Sequence, residues 1–228
     1  MTDLAALQTA DDRFLTVVSA LSEREMRAPS LLPGWSRAHA VAHVALNGEA
    51  YRGVLHSLLA GRPASMYASS EARDSDIEAL ATASSSQLVD RCRSVAAELP
   101  PLFDQLGPEH ADTVVSRLPD GTGMTFTGRQ ALEKRLGEVW IHLADLGAPS
   151  FSHRDWPTSF SRSVVAARAE RHPDFAFEAT DSHDRWGTST AALVISGPIS
   201  DLAWWRTGRG HGAGLSTSTG QLPSAPGF

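Results

Sequence analysis

Along the first two thirds of the chain, apolar residues recur every three or four positions, the interval of one helix face. In "LAALQTADDRFLTVVSALSE" that face carries Leu4, Leu7, Phe14, Val17, Val18 and Leu21. "LPGW" at 32–35 breaks the pattern. Ser36 then opens a second helix that runs to about Leu59 and stops at Gly61-Arg62-Pro63. A Ser/Ala-rich connection leads to a third helix, roughly Ser84 to Leu106, whose end Pro100-Pro101 is expected to kink or split. After the turn-rich "LPDGTGMTFTG", Thr127 and Gln130 have capping-box spacing for a fourth helix, which ends at Gly147 with Pro149 beyond it. Four helices with one long crossover describe a bundle.

Past about residue 155 the period changes. "FAFEAT" and "AALVISG" read as short strands separated by the polar turn "DSHDRWG". "PISDLAWWRTGRG" reads as a helix with Pro198 at its start and Gly208 near its end, and a glycine- and serine-rich tail follows. The expected fold class is therefore α+β: a helical bundle over 1–152, then a small α+β domain over 153–228.

Composition narrows the function classes. The chain has 228 residues, 42% hydrophobic and 20% charged, as soluble globular proteins do. A net charge of -6 argues against a general nucleic-acid binder, which needs Lys and Arg to neutralise phosphates. No apolar run approaches the roughly 20 residues that span a bilayer. "MTDLAALQTADDRFL" has acids where a signal peptide needs a basic start. The expectation is a cytoplasmic protein without membrane or nucleic-acid partners. Cys92, the one cysteine, excludes internal disulfides and thiolate zinc clusters. In "LVDRCRSV" it reads as a structural or surface residue.

The chemistry lies in two pairs. In "GWSRAHAVAHVALNGEA" His39 and His43 are four apart, one helical turn. In "RLGEVWIHLADLG" Glu138 and His142 repeat that spacing, with Arg135 and Asp145 near the same side. Three of these four, Glu138 among them, would complete a His2Glu set, the catalytic-zinc pattern that leaves one coordination position open. The same spacing equally describes solvated side-chain pairs. It is not the HExxH motif, because the Glu lies on a different helix from the first histidines. "GRGHGAG" is no phosphate loop, since it lacks the GK[ST] ending. His211 within it could be a fourth ligand, an acid/base or an exposed loop residue. His56, His110, His153, His172 and His183 have no useful partner spacing.

Four strings, "LLPGWSRAHAVAHVALNGEA", "MYASSEARDSDI", "GEVWIHLADLG" and "TGRGHGAGLSTSTGQLP", resemble the mycothiol-dependent maleylpyruvate isomerases of actinobacteria, members of the DinB-like metalloprotein superfamily. The resemblance runs nearly end to end and in order. It implies a DinB-like four-helix bundle followed by an α+β domain resembling sterol-carrier proteins. It implies zinc held by His43, Glu138 and His142, and a catalytic arginine at Arg209. His39 matches a histidine of the pattern without being a ligand, so a hydrogen bond or a pocket edge is its expected role. Arg206 has no match and is expected at the surface. Gly137 stands where a larger residue, often Arg, is expected. A glycine there would admit a ligand or a neighbouring helix closely.

The implied reaction converts maleylpyruvate to fumarylpyruvate, a step of gentisate breakdown, with mycothiol as thiol cosubstrate. Rotation about a conjugated C=C is slow while the double bond persists. A thiolate that adds to one alkene carbon leaves a single bond, which rotates before the thiolate is expelled. Free thiols near pKa 8.5 are mostly protonated at neutral pH, and a neighbouring cation or zinc lowers that value. Addition makes an enolate, whose charge a fixed cation such as Arg209 stabilises as it develops. Two rivals share the bundle motif: a mycothiol S-transferase, which would leave a stable adduct, and a non-catalytic module with a metal stapling two helices.

Overall fold

The protein, a computed structural model that describes residues 4–169 and 174–223, is a mixed helix-and-sheet molecule of two compact units, Met1–Ser150 and Phe151–Phe228. The α+β expectation holds.

The first unit is built on four long helices: α1 (Leu4–Ser19), α3 (Arg37–Leu59), α5 (Ser85–Asp104) and α6 (Gly128–Asp145). A short α2 (Glu23–Arg27) joins the first two. α3 packs against both α5 and α6, and so does α1. α3, α5 and α6 start where the sequence supplies a capping residue, Ser36, Ser84 and Thr127. The Ser36 side chain accepts from the His39 amide, and His39 Nδ1 lies 2.7 Å from Ser36 Oγ, closing a box at the head of α3. That local role accounts for His39, whose Nε2 reaches Glu78 at 3.2 Å. At the head of α6, Gln130 accepts the Thr127 amide at 3.0 Å.

Three expectations need correction here. α5 runs unbroken through Pro100 and Pro101. Both prolines lie in its last turns, and Leu99 and Phe103, buried on one face, hold those turns against the core. The Ser/Ala-rich connection contains a further helix, α4 (Ser70–Ala81), capped by Ser69 and packed on α3. It buries only Ile77 and Ala81, too narrow a stripe to register as a period. The turn-rich stretch forms strands β2 (Val114–Ser116) and β3 (Thr125–Thr127), paired antiparallel, with β1 (Ala64–Ser65) parallel to β2.

A buried polar network ties the bundle together. Arg135 of α6 is 2% exposed. Its Nη1 donates to the Val44 carbonyl at 3.1 Å and to Asn47 Oδ1 at 2.8 Å, both on α3. Its Nη2 lies 3.8 Å from Asp11, on the otherwise apolar face of α1. Burial raises the Asp11 pKa, and the Arg135 charge opposes that rise.

In the second unit, α7 (Thr158–Ala169) precedes a four-stranded sheet of order β5-β4-β6-β7. The strands are β4 (Phe175–Ala179), β5 (Arg185–Trp186), β6 (Leu193–Gly197) and β7 (Ser216–Thr217). β4 and β6 pair in parallel and the other pairs are antiparallel. The expected glycine-rich tail thus supplies an edge strand. α8 (Ile199–Arg206) follows Pro198 as expected. Arg206 is not a surface residue: it is fully buried, with its guanidinium 4.7 Å above the Phe177 ring and 6.0 Å from that of Trp205.

Removing the Arg135 charge should cost the bundle its polar core. Arg135→Leu leaves Asp11 and Asn47 buried without their partner, and urea unfolding should show a loss of about 3 kcal/mol.

Candidate metal centre

The first unit brings three of the sequence-derived residues together. His43 lies on the inner face of α3, and Glu138 and His142 stack one turn apart on α6. One atom from each lies within 4.8 Å of the others, and among the described residues no other set of His, Cys, Asp or Glu does so. His43 Nε2 donates to Glu138 Oε2 at 3.0 Å, and His142 Nε2 lies 3.5 Å from that same oxygen. The two imidazoles meet edge to face with centroids 4.5 Å apart. His39, the remaining member of the two pairs, is engaged in its cap. His211, exposed and at φ 47°, belongs to the second unit and is not part of the cluster.

The surroundings of the two histidines differ. His142 Nδ1 faces Asp145 Oδ2 at 2.9 Å, a fully buried carboxylate one turn further along α6. His43 Nδ1 instead receives Arg73 Nη2 of α4 at 3.3 Å. Trp35 covers His43 from the other side, its ring 5.8 Å away and tilted. His43 is 5% exposed, while the Glu138 side chain keeps 23% of its surface open.

Electrostatics follow from those neighbours. Burial, reinforced by the charge of His142, pushes His43 down to about 4. Burial also disfavours the His142 cation, but Asp145 and Glu138 overcome it and raise that group above its usual 6.5. Burial resists ionisation of Glu138 too, yet the hydrogen bonds from His142 and His43 hold it well below the usual carboxylate range. The result is a buried carboxylate presented to two imidazole nitrogens.

That donor set fits a divalent metal. Two imidazole nitrogens and one carboxylate converge, and one of the imidazoles carries the outer carboxylate typical of a ligating histidine. The site also shows what sequence spacing missed. Spacing puts Asp145 near the motif but does not show that it faces His142 Nδ1. Arg73 lies in "MYASSEARDSDI", and only packing of α4 on α3 brings it to His43.

Cys92 is buried, with Sγ 3.8 Å from the Val41 carbonyl, and burial pushes its thiol up to about 12. A Cβ at Gly137 would meet nothing within 4 Å, so no neighbouring helix approaches it closely. Arg209 lies in the second unit, after α8. Its Nη1 donates to the Thr207 carbonyl at 2.6 Å, and its guanidinium lies 5.8 Å from the Trp204 ring centroid. Gly208 and Gly210 flank it at φ 80° and 72°, a backbone region that strongly favours glycine. A Cβ at Gly210 would also lie 2.4 Å from the Trp204 ring. His153 pairs with Asp201 at 2.7 Å and stacks on Trp204, contacts no sequence spacing announced. His172 lies outside the described residues.

The family model described as the mycothiol maleylpyruvate isomerase N-terminal domain matches residues 7–147. The chain is similar to a crystal structure of the mycothiol-dependent maleylpyruvate isomerase, with 26% identity and a TM-score of 0.84. That match covers 99% of this chain and 95% of the other. A crystal structure of a histidine-to-alanine mutant of the mycothiol-dependent maleylpyruvate isomerase matches at 0.83, with the same identity and coverage. Among curated proteins none matches. No helix of the described residues is long and apolar enough to cross a membrane.

In the metal-free protein the two histidines should give stability a maximum near pH 6.5. As pH falls from 6.5 to about 4, the unfolded chain accepts a proton that buried His43 refuses, a loss of about 3 kcal/mol. As pH rises above 6.5, the stability contributed by protonated His142 is lost through its raised pKa. Urea unfolding across pH 4–8 checks both limbs, and His43→Leu should flatten the acid one.

Proposed function

Since the chain belongs to the mycothiol maleylpyruvate isomerase N-terminal domain family, we propose that it converts maleylpyruvate to fumarylpyruvate with mycothiol as thiol cosubstrate. The observation that carries the reading is the likeness to that isomerase over 99% of the chain, so that it includes the unit bearing Arg209 as well as the histidine cluster. A transferase reading draws on the bundle alone.

His43, Glu138 and His142 would hold the metal, which we take to be zinc. Bound there, zinc would supply a Lewis acid able to keep a thiol ionised at neutral pH or to polarise a substrate oxygen. The chain's own side chains do the rest. Asp145 fixes the His142 ring so that Nε2 points at Glu138. Trp35 and the burial around His43 keep bulk water from that side of the cluster, which strengthens every charge interaction there. Arg209 would grip a substrate carboxylate or stabilise the enolate oxygen that thiolate addition generates. Its glycine neighbours leave the backbone free of side chains on either side. The nucleophile must come from solution, because the Cys92 thiol is buried and pushed up to about 12. The reaction is placed in the cytoplasm, as a step of gentisate breakdown.

Zinc-loaded protein should form fumarylpyruvate only when mycothiol is present, with no change of mass between substrate and product. A stable thiol adduct would select the transferase instead. His43→Ala should abolish both bound zinc and turnover, whereas Arg209→Ala should keep the zinc and lose at least about a hundredfold in kcat/KM. Zinc content by atomic absorption separates the two effects.

A further inference from the structure

We propose that Arg73 is the cation that receives a carboxylate of the substrate beside the occupied metal site, and that metal binding is what frees it to do so. The inference rests on the function proposed above for the substrate, and on the geometry for the residue.

The geometric observation is the unequal support of the two histidines. A ligating histidine ordinarily donates its second ring N–H to an acceptor. His142 has one, in Asp145 at 2.9 Å. His43 has a donor instead, Arg73 Nη2 at 3.3 Å from Nδ1. In the metal-free arrangement this is consistent: Nδ1 accepts from Arg73, so the ring proton sits on Nε2 and is donated to Glu138 at 3.0 Å. When Nε2 becomes a ligand, the ring proton must sit on Nδ1. Two donors then face each other, and Arg73 Nη2 has lost its acceptor at His43.

What restores the balance is an acceptor shared by both groups. A carboxylate oxygen takes the Nδ1–H of His43 and a guanidinium N–H together, and its negative charge offsets Arg73 beside the metal. Besides His43 Nδ1, Arg73 engages Asp74 and the Tyr67 side chain. Its Nη1 pairs at 2.6 Å with Asp74, a carboxylate 64% exposed to water, and its guanidinium lies 5.7 Å from the Tyr67 ring centroid. The side chain is itself 18% exposed, so it reaches solvent while facing the site. Tyr67 is in turn held by Asn47 at 3.3 Å, which gives the cation a fixed aromatic floor. A cis-dicarboxylate or α-keto acid substrate has the charge this arrangement lacks.

Maleate, a cis-dicarboxylate that cannot be carried through to fumarylpyruvate, is the probe. Calorimetry on the wild-type protein should show maleate binding at least tenfold tighter with zinc loaded than without. Zinc-loaded Arg73→Met should lose most of that gain, and Arg73→Lys, which keeps the charge without the fork, should fall between. Because the competing donor is gone, Arg73→Met should also bind zinc at least threefold tighter, whereas a merely structural residue would leave zinc affinity unchanged or weaken it. Unchanged maleate affinity in folded, zinc-loaded Arg73→Met overturns the assignment. So does equal maleate affinity in metal-free and zinc-loaded wild-type protein, a result that needs no variant to fold. Neither readout involves turnover. A protein that passes both yet fails to isomerise maleylpyruvate keeps Arg73 as its anion site and loses the proposed reaction. An active isomerase whose Arg73→Met variant binds maleate normally loses Arg73 alone.

Discussion

The arrangement of the first unit depends on one buried guanidinium. Arg135 reaches from α6 to the Val44 carbonyl and the Asn47 amide on α3, and towards Asp11 on α1. A charge that deep is tolerated only where its donors meet acceptors, so few registers of α6 against α3 satisfy it. Glu138 and His142 stand three and seven residues beyond Arg135, on the same helical face. His43 precedes Val44 directly. The register that satisfies Arg135 is therefore the register that sets Glu138 against His43. The convergence of His43, Glu138 and His142 is thus a consequence of a structural ion in the core.

The cluster it produces is electrostatically unfinished by itself. Three groups that would each prefer water are packed together. Glu138 stays ionised only because both imidazoles donate to it, and the price falls on His43, held neutral beside a positively charged neighbour. A divalent cation would replace the protons that hold these groups together with a charge that suits all three. Asp145 prepares one imidazole for that exchange, while Arg73 is matched to the state before it. Such a site would suit a metal and, in the role proposed for Arg73, an anion that arrives after it.

The sequence made the parts that rest on local chemistry legible. Ser36 and Gly147 mark where α3 begins and α6 ends, and i,i+4 spacing alone put Glu138 and His142 on one face. Spacing could not choose between His39 and His43. The structure separates them by an interaction only three residues long, the cap that engages His39 with Ser36. What stayed hidden required long-range packing. α4 has almost no apolar stripe, so neither the helix nor the place of Arg73 could be read. Arg206 looked like a surface cation because nothing local shows that Phe177 and Trp205 enclose it. Pro100 and Pro101 signalled a break that the packing of Leu99 and Phe103 overrides.

The two arginines with proposed roles are held quite differently, and that difference bears on what each can do. Arg209 follows a helix end on a backbone that only glycines on both sides permit, its Nη1 anchored to the Thr207 carbonyl. A guanidinium whose direction is set by its own backbone suits charge that appears at one fixed point, as in an enolate. Arg73 sits in the first turn of α4, and in the proposed role its partner at the site would change from acceptor to donor once a metal is bound. A side chain with that dependence suits recognition, since its availability reports that the site is filled. Fixed charge for the reaction and conditional charge for binding are separate physical requirements, and one arginine could not meet both without weakening one of them.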